Sequence, residues 1–126
     1  MDEARETGEY VPVDGVLGEV AVERLNQDRR WGQQNHPDRM TMYGTAVSRM
    51  AYGIESAEWF RKKLADANGR GECSWDRILL EEVAEAMDEC TTGNTVALRA
   101  ELVQVAAVAA AWVECIDRRW TKAPDA

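Results

Sequence analysis

The chain has 126 residues, a length for one domain with a real core, and its 45% apolar and 30% charged residues make an ordinary globular balance. The formal net charge of −8 excludes long contact with a nucleic-acid backbone or an anionic membrane surface, both of which need Lys and Arg in excess. It does not exclude a small phosphorylated ligand whose charge is offset by a metal ion.

Residues 1–14 are polar, lack periodicity, and read as a tail ahead of one all-α domain over 15–122. The acidic start, MDEARETGEY, has no signal-peptide character, and the longest apolar run, Val105–Val113, falls short of the ~20 residues of a membrane span. Cys73, Cys90 and Cys115 are odd in number and widely spaced, which suits thiols in a reducing cytoplasm rather than a disulfide framework or a structural zinc site.

From Gly15 to Arg30 the spacing of Leu17, Val20 or Ala21, and Leu25 predicts a helix, stopped at Trp31-Gly32. The stretch WGQQNHPDRMTMYG (31–44) has no period and reads as a loop. It carries Trp31, which could stack on a base, and Gln34, Asn35 and His36, which could hydrogen-bond its edge. Thr45 is placed to cap a second helix running through Val47, Met50, Ile54, Ala57, Phe60 or Arg61, and Leu64, with Gly53 allowing a close helix contact. ADANGRG (65–71) reads as a linker. Ser74 and Asp76 open a third helix that ends near Cys90, Thr91-Thr92-Gly93 makes a turn, and Asn94 caps a fourth helix from Val96 to Trp120. Four helices with short connections predict an antiparallel four-helix bundle.

The third and fourth helices carry acids beside their apolar seams. At about 100° per residue, Leu79, Val83, Ala86 and Cys90 form one seam. Glu82, Glu89 and Glu85 border it at about 60°, 80° and 120° on the same side, while Glu81 and Asp88 are expected to face water. On the fourth helix Glu101 shares a face with Val105, Val108, Trp112 and Cys115, Gln104 lies about 60° away, and flanking alanines make this helix look central. An antiparallel pair brings Glu101 towards Glu82 and Glu85. Carboxylates beside a core repel one another strongly, and an oxygen-rich cluster of this kind suits Mg²⁺, or Mn²⁺, together with the phosphates such an ion binds.

Glu81-Glu82-Val83-Ala84-Glu85, followed one helix later by Glu101-Leu102-Val103-Gln104, resembles the EExxE…ExxD signature of the MazG-like all-α nucleotide pyrophosphohydrolases. ERLNQDRRWGQQNHPD (23–38) also resembles the first helix and loop of small members of that family, many of them phage-encoded, and the likeness spans roughly residues 19–118. The resemblance implies a four-helix core assembled as a homodimer or homotetramer in the cytoplasm of a bacterial or phage-infected cell. It implies Mg²⁺ held by Glu82, Glu85 and Glu101, with Gln104 standing where the family has Asp. It implies hydrolysis of a nucleoside triphosphate to the monophosphate and pyrophosphate, with Glu81 or Glu85 as the base and Trp31, Gln34 and His36 as substrate contacts. Gln104 is the departure: an amide oxygen can ligate but carries no charge. It leaves open a catalytically weak or inactive nucleotide-binding or regulatory protein. No contact with a nucleic-acid polymer or a membrane is expected.

Overall fold

The computed structural model describes residues 15–39, 48–70 and 73–122. These residues hold five helices and no strand: α1 (Val16–Trp31), α2 (Ser48–Ala51), α3 (Ala57–Gly69), α4 (Trp75–Thr92) and α5 (Thr95–Lys122). The all-α class is as the periodicity predicts. The tail read over 1–14 and the cap read at Thr45 lie outside the described residues.

Helix ends follow local chemistry. Gly32 adopts φ 68° and its N–H donates to the Asp28 carbonyl at 2.7 Å, closing α1. Gly93, at φ 79°, does the same for α4 through the Glu89 carbonyl. Asn94 Oδ1 accepts from the Ala97 N–H at 3.0 Å and so caps α5. Ser74 stands before α4 without making a cap bond; its hydroxyl donates instead to Asp76 Oδ1 at 2.6 Å.

The expected second helix is two. After α2 the chain turns at Gly53, φ +74°, and the Arg49 carbonyl accepts from the Tyr52 and Ile54 N–H groups at 3.2 and 2.8 Å. Ser56 Oγ then accepts from the Trp59 N–H at 3.0 Å and starts α3. A Cβ on Gly53 would meet no atom within 4 Å, so left-handed backbone, not close helix approach, is what glycine provides here. α3 also continues to Gly69, through most of the stretch read as a linker, because Ala65 and Asp66 contain no breaker.

The chain divides into two compact units. One holds α1 and the end of α5 from Ile116; in it Val16 is buried, but Leu17, Val20 and Leu25, the expected apolar stripe, are exposed. The other, Pro37–Cys115, holds α2, α3, α4 and most of α5. Its core is small: Ala57 and Phe60 of α3 close over Ala84 of α4, which is 0% exposed, with Ile54 alongside. α4 therefore buries two faces. Ala84 meets α3, and Ala86 lies on the expected seam with half-buried Leu79, Val83 and Cys90. Trp75 stacks on Trp112 with centroids 6.4 Å apart, so α5 runs back along α4. α5 is not central. None of its described side chains is fully buried, and Leu102, Val103 and Val113 are exposed, as are most of the alanines beside them. By length and composition alone, Thr95–Thr121 is apolar enough to cross a bilayer, a longer apolar segment than Val105–Val113.

Replacing Gly53 by Ala is expected to destabilise the protein by about 1 kcal/mol, since a Cβ disfavours the left-handed region. Gly69→Ala, in helical backbone with nothing within 4 Å of the added atom, should be neutral or stabilising. Urea unfolding of both variants reads the difference; equal midpoints would contradict the turn.

Candidate metal centre

Helical periodicity sets Glu82 and Glu85 one turn apart on α4, and the short turn at Gly93-Asn94 returns the chain so that Glu101, in the second turn of α5, meets them. One oxygen from each of the three carboxylates lies within 4.8 Å of the others, and all three residues are half-buried. Glu101 Oε2 is cut off from solvent and has no hydrogen-bond partner among the described residues. An orphaned buried oxygen of this kind is costly unless a ligand meets it.

The charges respond accordingly. Glu101 is pushed up to about 7, first by the Glu85 carboxylate beside it, which favours the protonated form, then by burial, then by the negative charges of Glu82 and Glu89. Glu82 is also raised, chiefly by burial and then by its neighbours Glu85 and Glu81, with Arg61 opposing. Three acids so close favour keeping one protonated unless a cation is present. The donor set is all oxygen, partly desolvated and short of positive charge, which fits a hard divalent ion.

Arg61 of α3 is the residue of this cluster that spacing did not reveal. Its Nε donates to Glu81 Oε2 at 3.1 Å and its Nη2 to Glu85 Oε1 at 2.6 Å. Both carboxylates raise the Arg61 pKa, Glu85 most. Glu81 was expected to face water, yet its side chain is only 17% exposed. The Asp88 side chain, expected there too, is 42% exposed, as expected, but also accepts from Arg49 Nε at 2.9 Å. The reason is the second buried face of α4: Glu81, Ala84, Glu85 and Asp88 lie within one helical stripe, and α3 and α2 cover it. The signal available in sequence was the one-turn spacing of Glu81 and Glu85, which one guanidinium can bridge.

The remaining predicted residues fall as follows. Glu89 accepts from the Thr92 hydroxyl at 3.2 Å, and its charge reaches Glu101. Gln104, one turn beyond Glu101, is exposed. Trp31, Gln34 and His36 belong to the unit that holds α1. Trp31 is exposed, with the Arg30 guanidinium 5.2 Å from its ring centroid. Gln34 and His36 line an open depression with Arg24, Gln27, Asp28 and Gln33. Cys73, Cys90 and Cys115 are free thiols.

A carboxyl raised from 4.5 to about 7 stabilises the fold in full below about pH 4.5, and that stability is lost as pH rises through 7. The metal-free chain should therefore melt at lower temperature at about pH 8 than at about pH 5, and Glu101→Gln should flatten this dependence. Mg²⁺ should raise the melting temperature more at the higher pH, where the ligands are ionised. An unchanged pH slope in Glu101→Gln would remove Glu101 from the account. No family model, no curated protein and no solved structure matches this chain.

Proposed function

We propose that the chain is a Mg²⁺-dependent nucleoside triphosphate pyrophosphohydrolase built on a MazG-like four-helix core, converting a (d)NTP and water to the (d)NMP and pyrophosphate. The observation that carries this reading is the convergence of Glu82, Glu85 and Glu101 around a buried carboxylate oxygen with no partner among the described residues. The order EExxE then Glu on the next helix, by which the chain resembles that family, supplies the reaction class.

Glu82, Glu85 and Glu101 are the ligands, with the Gln104 amide oxygen as an uncharged fourth group; Mn²⁺ suits the same set. A bound ion of this kind neutralises phosphate oxygens and makes a water more acidic. Glu81 lies outside the trio and is the base, with Glu85 as the alternative; Arg61 orients both. The water oxygen bonds to phosphorus, the α–β anhydride breaks, the carboxylate takes the proton, and pyrophosphate leaves. Trp31, Gln34 and His36 are exposed, in the unit that holds α1.

A second reading is a nucleotide-binding or regulatory protein with little turnover. Gln104, neutral where the family signature has an acid, favours it, as does the engagement of both Glu81 and Glu85 by Arg61. The net charge of −8 favours a small nucleotide over a nucleic-acid polymer or an anionic membrane in either case. The apolar face of α5 at Val103 and Val113 is best accounted for as the contact of a homodimer or homotetramer in the cytoplasm.

Incubation with a panel of (d)NTPs and Mg²⁺ should release pyrophosphate and monophosphate, and Glu82→Gln or Glu101→Gln should lower the rate by about 100-fold. Nucleotide binding by calorimetry without any product by chromatography would select the regulatory reading. Light scattering should give a dimer or tetramer for the native chain and a monomer for the double variant Val103→Asp, Val113→Asp. A native monomer would rule the oligomer out.

A further inference from the structure

A cavity of about 270 Å³ opens in the same unit as the acids. Its walls include Ala86, Met87 and Cys90 of α4 and Leu98 and Leu102 of α5, and Ser48 of α2, Tyr52, Asp38 and Arg39 line it too. Ala86 follows Glu85 directly, Leu102 follows Glu101, and Leu98 lies one turn before Glu101. The cavity and the acid trio thus draw on adjoining turns of the same two helices.

Ser48 is 7% exposed, and its Oγ has no hydrogen-bond partner among the described residues. Its own N–H is satisfied by Thr91 Oγ1 at 2.8 Å, so the hydroxyl is the unmet group. Cys90 is satisfied as well, donating its S–H to the Asp38 carbonyl at 2.9 Å. The lining is therefore largely apolar, a thioether, a thiol and aliphatic groups beside the Tyr52 ring, with Asp38 and Arg39 also lining it and one buried hydroxyl, that of Ser48, left unmet among the described residues. Polarisable sulfur and alkyl groups suit the face of an aromatic ring, and a buried, unmet hydroxyl suits one polar atom on its edge. The volume lies near the lower end for ligand pockets, the size for a flat ring system but not for a whole nucleotide.

We propose that this cavity is the subsite for the nucleotide base, with the Ser48 hydroxyl bonded to the base edge and Met87 and Leu102 against its face, the phosphates lying one turn away at Glu82, Glu85 and Glu101. The assignment rests on the pyrophosphohydrolase or nucleotide-binding reading of the acid site. It gives base selection to this cavity, in place of the exposed groups Trp31, Gln34 and His36.

The test uses the full-length chain, Mg²⁺, inorganic tripolyphosphate, and the α,β-methylene analogues of the four common deoxynucleoside triphosphates, with affinities by calorimetry. Leu102 is half-exposed, so Leu102→Trp narrows the cavity without disturbing the core. At least one analogue should bind more tightly than tripolyphosphate. Leu102→Trp should weaken that analogue about 10-fold and leave tripolyphosphate unchanged, and Ser48→Ala should lose a severalfold part of the preference among bases, both variants melting like the native chain. Tripolyphosphate binding with no gain from any base overturns the subsite and leaves the acid site standing. So does a loss of base preference in Trp31→Ala but not in Leu102→Trp. No binding of tripolyphosphate or of any analogue overturns the functional reading itself.

Discussion

Repulsion among Glu82, Glu85 and Glu101 is the constraint to which the rest of the second unit answers. Like charges within a few ångströms and partly out of water are unfavourable, and two features of the unit lower that cost. Glu101 holds its proton up to about 7, and Arg61 draws Glu85 and Glu81 towards α3. What is left uncompensated is one carboxylate oxygen with neither solvent nor partner. A chain selected for stability alone would remove these acids, since substituting apolar groups for buried charge is often neutral or favourable. A ligand that supplies positive charge, as proposed above, would account for their presence.

The packing is arranged around the same point. α4 contributes an acid-bearing stripe to each of its neighbours: Glu81 and Asp88 meet cations of α3 and α2, while Glu82 turns towards Glu101 of α5. The aromatic stack of Trp75 on Trp112 ties the open ends of α4 and α5, and the Gly93 turn ties the other. Glu101 and the cavity beside Ala86 lie between these two fixed points, so the two helices are held at both ends of the stretch that carries the acids.

Much of this was legible in the residues. α4 and α5 begin and end close to where capping and stop signals place them, and Asn94 caps as its side chain suggests. The acid trio follows from periodicity plus one tight turn. The break at Gly53 was hidden, because a single left-handed residue barely disturbs apolar spacing on either side. Arg61 was hidden because a long cation has the same sequence signature whether it reaches solvent or a carboxylate. The pairing of Glu81 and Asp88 was missed by assuming a single buried face for α4. Nor does composition tell a helix covered by its own chain from one whose apolar face is left outward, as Leu102 and Val103 are.

The complete burial of Ala84 fixes an interhelical distance. A single methyl group sets how near α3 approaches α4, with Phe60 and Ala57 resting on it. Arg61 follows Phe60 in the chain, so the reach of its guanidinium to Glu81 and Glu85 is set by that methyl rather than by anything in the charged cluster. The side chain at 84 works as a shim: its thickness sets the gap across which the ionic groups are aligned. Position 84 is therefore closed to larger residues for an electrostatic reason as well as a steric one, although it carries no charge.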